Sequence, residues 1–284
     1  MNKHEYLDIY KKYETGTKRT KWFDNYISKL GLDIDENNLV KINKHNSEII
    51  EKDILHNEDY SINFHQIVFE YFSMKNDGKG FPEKDKNAVL ALARMIDLEN
   101  STNLWRMKKK NRQALKNIVN YIVSSNEFWV EIRNPKTQIE LVDKLNKVAI
   151  SKGYSEGTNA KSFASKMCKF IDELLNLNVK NYQNAYFIND NVVRTILIYY
   201  LTRYDSELKD FEAYRDLIDK KCKHQSYKNK SVSYNLNSLT YSELYYCLTK
   251  LKEVTDPNNE LTRSEFDHIL WYCYRSENIE EENE

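Results

Sequence analysis

The chain has 284 residues, of which 40% are hydrophobic and 30% are charged, and this composition is typical of a soluble folded protein rather than a disordered one. Its 43 basic and 43 acidic residues cancel, which excludes a uniformly cationic surface but not a local basic patch. Only six glycines and three prolines are present, and because turns consume these residues, their scarcity favours long helices over strands.

Apolar residues recur at helical spacing along most of the chain, which predicts an all-α fold. The least regular part is an N-terminal extension, 1–60, which we interpret as an accessory segment before a helical domain, 61–275, and an acidic tail, 276–284. Helices are predicted over 61–75, 86–99, 112–123, 137–150, 160–176, 191–204, 206–221, 240–252 and 261–275. Polar loops are predicted over 76–86, 99–104, 152–158, 176–189 and 223–238.

Several function classes have no support in the sequence. There is no P-loop and no GxGxxG motif, and the six histidines form no HExxH pattern, so no cofactor and no metal site is expected. The cysteines show no metal-ligand spacing either, and most of them lie in apolar helical patterns that indicate buried free thiols. No signal peptide is visible and no apolar run approaches the roughly 20 residues of a membrane span, so we expect a cytoplasmic chain with no membrane contact.

Three segments carry a family resemblance through their order: SFASKMCKFI (162–171), FINDNVVRTIL (187–197) and EFDHILWYCYR (265–275). Together they resemble the helix–hairpin–helix Gly/Pro/Asp superfamily of DNA glycosylases, nearest to the archaeal 8-oxoguanine glycosylases. The resemblance covers about residues 110–200 and the final helix. It implies a multi-helix architecture in which a helical pair surrounds the scissile nucleotide, with a lysine near the start of the first helix and an aspartate opening the second.

The positions that match this pattern are Lys161, which opens the first helix, and Asp190, which opens the second and is followed by Val193 and Arg194. Lys166 is the other candidate lysine. A carboxylate fixed at a helix N-terminus can stabilise the positive sugar that develops during glycosidic cleavage, and a neutral lysine can attack that sugar and form a Schiff base. The structural alternatives are a simple helix cap for the aspartate and a solvated helix face for the lysines.

DNA contacts are predicted at two places. The first is the basic run WRMKKKNRQ (105–113), and the second is the turn KGYSEGTNAK (152–161), where the family normally has a Gly-rich hairpin of the form LPGVG. The predicted DNA-binding residues are Arg106, Lys108, Lys109, Lys110, Arg112, Lys152, Gly153, Gly157 and Arg194. The predicted base-pocket residues are Phe128, Trp129 and Trp271, each with a hydrophobic core position as its alternative.

The sequence therefore predicts a monomeric DNA glycosylase that acts on double-stranded DNA without a metal or cofactor. The base would be 8-oxoguanine-like, as in the archaeal relatives, or a hypermodified phage base, as in relatives that serve anti-phage defence. The alternative is a non-catalytic all-helical module that binds DNA or protein, and the departure of 152–161 from the hairpin pattern favours it.

Overall fold

The computed structural model describes residues 27–36, 39–56, 64–75, 81–99, 109–150, 160–180, 182–204, 220–221, 223–226, 231–234, 238–272 and 274. Its helices in this part of the chain are α1 (Lys44–His56), α2 (Phe64–Lys75), α3 (Lys86–Glu99), α4 (Lys109–Ser124), α5 (Asn126–Glu131), α6 (Glu140–Ile150), α7 (Lys161–Leu175), α8 (Asn191–Arg203), α9 (Tyr241–Thr255) and α10 (Arg263–Tyr272). A short antiparallel ribbon joins β1 (Lys223–Ser226) to β2 (Ser231–Tyr234).

The mostly helical character predicted from the sequence is confirmed. Three predicted helices, 86–99, 160–176 and 191–204, are found as α3, α7 and α8 with ends within one residue of the prediction. Local capping determines where α9 begins. Thr240 Oγ1 accepts the Glu243 N–H at 3.2 Å, and the Glu243 carboxylate accepts the Thr240 N–H at 2.9 Å. This reciprocal pair satisfies two N–H groups that the first turn of α9 would otherwise leave unbonded.

The described residues bury two hydrophobic clusters. The first contains apolar side chains of α2 to α7, and the second contains those of α1, α8, α9 and α10 together with residues from 27–42. Helix α7 belongs to the first cluster through one face, which includes Phe163, Met167 and Phe170. Its other face is polar but also buried, so this helix carries ionisable side chains into the interior. That polar face positions the candidate site.

The N-terminal residues that the structure describes are part of the second cluster. Ile50 and Ile54 of α1 are buried against α10. Val40 is fully buried: its carbonyl accepts the Tyr200 hydroxyl at 2.6 Å, and its N–H donates to the Tyr274 hydroxyl at 3.1 Å. Described residues on the N-terminal side of residue 60 therefore share a core with α8 and α10.

Two local features differ from the sequence-based expectation. Helix α1 lies in the N-terminal segment, for which the sequence predicts no regular structure. The prediction misses it because its buried face includes the polar residues Asn46 and Ser47, which interrupt the apolar periodicity. The ribbon lies in the segment 223–238, which was predicted to be a loop; each of its strands has only four residues, too few for periodicity to show. The predicted helix 206–221 lies outside the described residues except for 220–221, which are helical.

The helices in the described ranges include none with the length and apolar character that crossing a membrane requires.

Candidate active site

A buried lysine and an aspartate meet where α7 faces the start of α8. Lys166 Nζ lies 3.6 Å from Asp190 Oδ2, and the two side chains are 4% and 19% exposed. Burial lowers the pKa of Lys166 below its ordinary value of 10.5; the Asp190 carboxylate opposes this shift, and the Arg194 guanidinium adds to it. The pair thus combines a desolvated amine with a carboxylate that can take its proton.

Asp190 is also the N-cap of α8. Its Oδ1 accepts the backbone N–H of Val192 at 2.7 Å, and its carbonyl accepts the N–H of Arg194 at 3.0 Å as the first helical hydrogen bond. The cap predicted from the sequence is therefore present. Oδ1 forms the cap and Oδ2 faces Lys166, so the helix cap and the ion pair use different oxygens of one carboxylate.

The loop before Asp190 is fixed to α7 by side-chain hydrogen bonds. Asn189 is buried; its N–H donates to Ser165 Oγ at 3.0 Å, one residue before Lys166. Arg194 Nη1 donates to the Asn189 carbonyl at 3.2 Å and also to its side-chain oxygen. Arg194 was predicted to bind DNA, but it is half-buried and holds its own loop. Ser165, Asn189 and Arg194 together set the spacing between Lys166 and Asp190.

Lys161 is the first residue of α7, as predicted, but its side chain lies away from the Lys166–Asp190 pair. Its Nζ donates to the backbone carbonyl of Leu239, which precedes α9. Burial lowers its pKa, and the charge of Asp143 opposes that shift. Residues five apart in a helix point in clearly different directions, so Lys161 and Lys166 cannot share one partner. The structure pairs Lys166, not Lys161, with Asp190.

A second buried ion pair lies further along α7. Lys169 Nζ is 3.5 Å from Asp267 Oδ2 of α10, and both side chains are 1% exposed. Asp267 Oδ2 also accepts the N–H of Ile188 at 2.7 Å. Burial raises the pKa of Asp267 to about 6, although Lys169 opposes the shift. Lys169 Nζ and Asp267 Oδ1 have no hydrogen-bond partner among the described residues, which is costly for buried polar atoms.

Both lysines line the same pocket, which has about 530 Å³ of open space, part of it continuous with solvent. The polar residues of its wall are Lys166, Lys169, His65, Asp267 and His268. Its apolar residues are Phe64, Phe170, Ile188, Val193 and Trp271. A pocket with a mostly apolar wall and a few convergent polar groups is the usual form of a small-molecule or base-binding site.

Each histidine in the pocket wall is paired with a glutamate. His65 Nε2 lies 2.6 Å from Glu173 Oε2, and His268 Nδ1 lies 2.5 Å from Glu51 Oε1. The two imidazole rings are 6.4 Å apart between centroids and nearly perpendicular. Helices α2, α7, α8 and α10 therefore contribute residues to the pocket wall, and α1 supports it through the contact of Glu51 with His268.

The three residues predicted to form a base pocket lie in two different places. Trp271 lines the pocket, but Phe128 and Trp129 do not; both are buried in the first cluster. Trp129 Nε1 donates to the Ile122 carbonyl at 2.9 Å, and its ring stacks on Phe81 at 6.3 Å between centroids. They are core residues because α5 is a short helix whose two aromatic side chains fill the space beneath it.

The predicted DNA contacts lie largely outside the described part of the chain. Arg106, Lys108, Lys152, Gly153 and Gly157 lie between the described ranges, and Lys109, Lys110 and Arg112 are described only as backbone of α4. Cys222 and Cys273 are likewise outside it, whereas Cys168 and Cys247 are both buried, as expected. In the described ranges, no cluster of three or more histidine, cysteine or acidic side chains could hold a metal ion.

Sequence reasoning did not identify Lys169, His65 and His268 as site residues, and it placed Asp267 only within a segment of family resemblance. The sequence does contain a pattern that could have identified the residues of α7. Lys166, Lys169 and Glu173 are spaced three and four residues apart, which puts all three on one face of the helix. A comparison of the chain with protein-family models, with curated proteins and with solved structures gives no match.

Proposed function

We propose that the chain is a DNA glycosylase that binds a flipped nucleotide with its sugar at Lys166 and Asp190. The observation that carries the proposal is the buried Lys166–Asp190 pair, 3.6 Å apart, in which Lys166 also lines a pocket with aromatic rings in its wall. A glycosylase needs a nucleophile, a carboxylate beside the developing sugar cation and a stacking pocket for the extruded base. Lys166, Asp190 and the aromatic wall are the groups that we assign to these three requirements.

The chemistry divides between the two side chains. The neutral amine of Lys166 attacks C1′ of the deoxyribose as the C1′–N bond breaks, and the bonding electron pair leaves with the base. Asp190 stabilises the positive charge on the sugar and accepts the proton that the amine loses. Proton transfer to the ring oxygen opens the sugar to a Schiff base, from which β-elimination would cleave the strand. If water is the nucleophile instead, Asp190 deprotonates it and no covalent adduct forms.

The pocket also suggests how the base is held. Lys169 Nζ has no hydrogen-bond acceptor among the described residues and offers a donor, and Asp267 Oδ1 has no hydrogen-bond donor there and offers an acceptor while its carboxyl is ionised. A base edge with a carbonyl next to an N–H would satisfy both atoms, and guanine, 8-oxoguanine and uracil-type bases have such an edge. Trp271 and Phe170 provide apolar surfaces for stacking.

The test is a panel of duplex oligonucleotides, each with one modified base: 8-oxoguanine, uracil, hypoxanthine or glucosylated hydroxymethylcytosine. We expect at least one base to be released, which chromatography of the free base detects. Borohydride should then trap a covalent adduct if Lys166 is the nucleophile. Lys166→Gln should abolish the adduct, and Lys161→Gln, the matched control at the other buried lysine of α7, should retain it.

The opposite outcomes are equally informative. Base release without a trapped adduct would assign the nucleophile to water and leave Asp190 as its general base. If the wild-type protein released no base from any duplex, the glycosylase proposal would be wrong for these bases. The non-catalytic DNA- or protein-binding module would then be favoured, in agreement with the absence of an LPGVG hairpin in 152–161.

A further inference from the structure

The pairing of His65 with Glu173 resembles the oriented imidazoles of acid–base catalysts. Glu173 is almost fully buried and lies 2.6 Å from His65 Nε2. Its other oxygen, Oε1, accepts the Asn184 amide N–H at 2.7 Å and the Ser264 hydroxyl at 3.2 Å. A carboxylate held by several donors orients an imidazole and determines which nitrogen carries the proton.

The charge state of Glu173 decides the tautomer of His65. Burial alone would raise the pKa of Glu173, but His65, Lys169 and Ser264 lower it to about 2. An ionised carboxylate accepts hydrogen bonds only, so His65 Nε2 must be the donor in this pair. The nitrogen that is left to exchange a proton with a ligand is therefore Nδ1.

The position of His65 makes that proton accessible to a ligand. The imidazole lies in the pocket wall with Lys166 and Lys169, packed against the rings of Phe69 and Phe170. Its side chain is 35% exposed, unlike that of Glu173. The carboxylate is thus enclosed while the imidazole faces the open space, which is the arrangement that a proton donor to a bound molecule requires.

We propose that His65 is the general acid that protonates the departing base. This inference rests on the proposed glycosylase function and adds to it a second catalytic residue at the base end of the pocket. As the C1′–N bond breaks, its electron pair goes to the base, which would otherwise leave as an anion. His65 transfers its proton to a nitrogen or oxygen of that base and becomes neutral, and solvent reprotonates it after release.

His268 is the natural comparison because it lines the same pocket and is also paired with a glutamate. Its partner Glu51 is 33% exposed, however, so that carboxylate is less isolated from water than Glu173. No second hydrogen-bond donor to the Glu51 carboxylate occurs among the described residues of α1 and α10 that surround it. We therefore assign the acid to His65 and use His268 as the control position.

The experiment compares leaving groups. Single-turnover base release is measured on duplexes containing uracil or 5-fluorouracil, which differ little in shape but give leaving groups of different acidity. General-acid catalysis contributes about 10²–10⁴-fold, and a better leaving group needs it less. We expect His65→Gln to slow uracil release by about that factor and 5-fluorouracil release far less. His268→Gln also alters the pocket wall, and it should slow the release of both bases by the same factor.

The pH profile of the wild-type protein gives the same test without any variant. Uracil release should decline more with rising pH than 5-fluorouracil release does, because a general acid must carry its proton to act. The titratable groups around His65 are Lys166, Lys169 and Glu173 of α7, Asp267 and His268 of α10, and Glu51 of α1. Because these act on both substrates alike, only the difference between the two profiles reports the general acid.

Each result has a defined consequence. Equal losses on both substrates in His65→Gln, or identical wild-type profiles, would overturn the inference and leave His65 a structural residue of an active glycosylase. A leaving-group effect in His268→Gln but not in His65→Gln would overturn the assignment to His65. If the wild type released neither of these bases nor any in the wider panel, the glycosylase function and this inference would fail together.

Discussion

Asp190 caps α8, the proposed mechanism gives the same carboxylate a second function, and substitution can separate the two. In Asp190→Asn the side-chain oxygen still accepts the Val192 N–H, so the cap of α8 is kept while the negative charge is lost. We expect base release to fall by about 10²–10³-fold because charge stabilisation at the sugar is lost. The melting temperature should change little. The measurements are single-turnover base release and thermal unfolding of the same preparation.

Asp190→Ala is the control that removes both functions. It should lose base release as Asp190→Asn does and should also lose about 1 kcal/mol of unfolding free energy with the cap. Full base release by Asp190→Asn would remove the carboxylate from the mechanism and leave it a cap alone. An equal loss of stability in both variants would show that the asparagine does not reproduce the cap.

The sequence identified part of the site because that part is local in the chain. An aspartate before an apolar helical stripe predicts a cap from neighbouring residues alone, and the order of segments added the candidate lysines. The choice between Lys161 and Lys166 depends on which face of α7 meets the 184–190 segment, and periodicity does not contain that information. His65 and Asp267 come from helices about 200 residues apart, so only tertiary packing brings them to one pocket.

At the scale of the element, α7 is unusual in burying charges on one face while its other face joins an apolar core. Glu173 is the clearest case, since it bonds to His65, Asn184 and Ser264. Removing one partner of a buried, hydrogen-bonded ion pair typically costs about 3–5 kcal/mol. We therefore expect Glu173→Gln to lower the free energy of unfolding by about that amount at pH 7, as measured in urea.

The pH dependence of that contribution follows from the lowered pKa. Glu173 titrates at about 2 in the folded protein instead of its ordinary 4.5, so its ionised form stabilises the fold fully above pH 4.5. This stabilisation is lost as the pH falls from 4.5 toward 2. Wild-type stability should thus drop more steeply than that of Glu173→Gln between pH 5 and pH 3. Glu253→Gln, at an exposed surface pair, should follow the wild type, and parallel wild-type and Glu173→Gln curves would contradict the assignment.

The helices themselves were predictable to different degrees for a physical reason. Strong apolar stripes such as those of α3, α7 and α8 fix a helix and its approximate ends from sequence. Helix α1 was missed because Asn46, a buried residue of its first turn, serves the preceding loop: its amide donates to the carbonyls of Asp33 and Lys41. In a sequence, an asparagine is typical of a loop, and this one bonds to a loop although it lies in a helix.

At the scale of the whole molecule, the N-terminal residues complete the second cluster instead of lying outside it. Deleting 1–60 would remove Val40, Ile50 and Ile54 and expose their partners on α8 and α10. We expect this deletion variant to lose cooperative thermal unfolding, as followed by circular dichroism. Deleting the acidic tail 276–284 is the control and should leave the melting temperature unchanged. A cooperative transition in the 1–60 deletion would mean that the remaining residues form a core of their own.

The DNA binding that we propose requires a local charge cluster, because the 43 basic and 43 acidic residues give no net attraction. The basic run at 106–112 is the best sequence candidate. A protein that neutralises phosphates releases counterions, so each lost contact reduces the slope of log K against log salt concentration by about 0.9. Replacing Lys108, Lys109 and Lys110 with glutamine should therefore weaken duplex binding and reduce that slope by up to about 3.

The matched control replaces three exposed lysines on the N-terminal side of the molecule, Lys29, Lys41 and Lys52. It changes the net charge by the same amount, so it separates a local contact from a general loss of positive charge. Fluorescence anisotropy at several salt concentrations measures both slopes. If the two triple variants reduced the slope equally, the run at 106–112 would be only a solvated face. If neither reduced it, the DNA contacts would have to lie at other residues, with the turn at 152–161 the next to substitute.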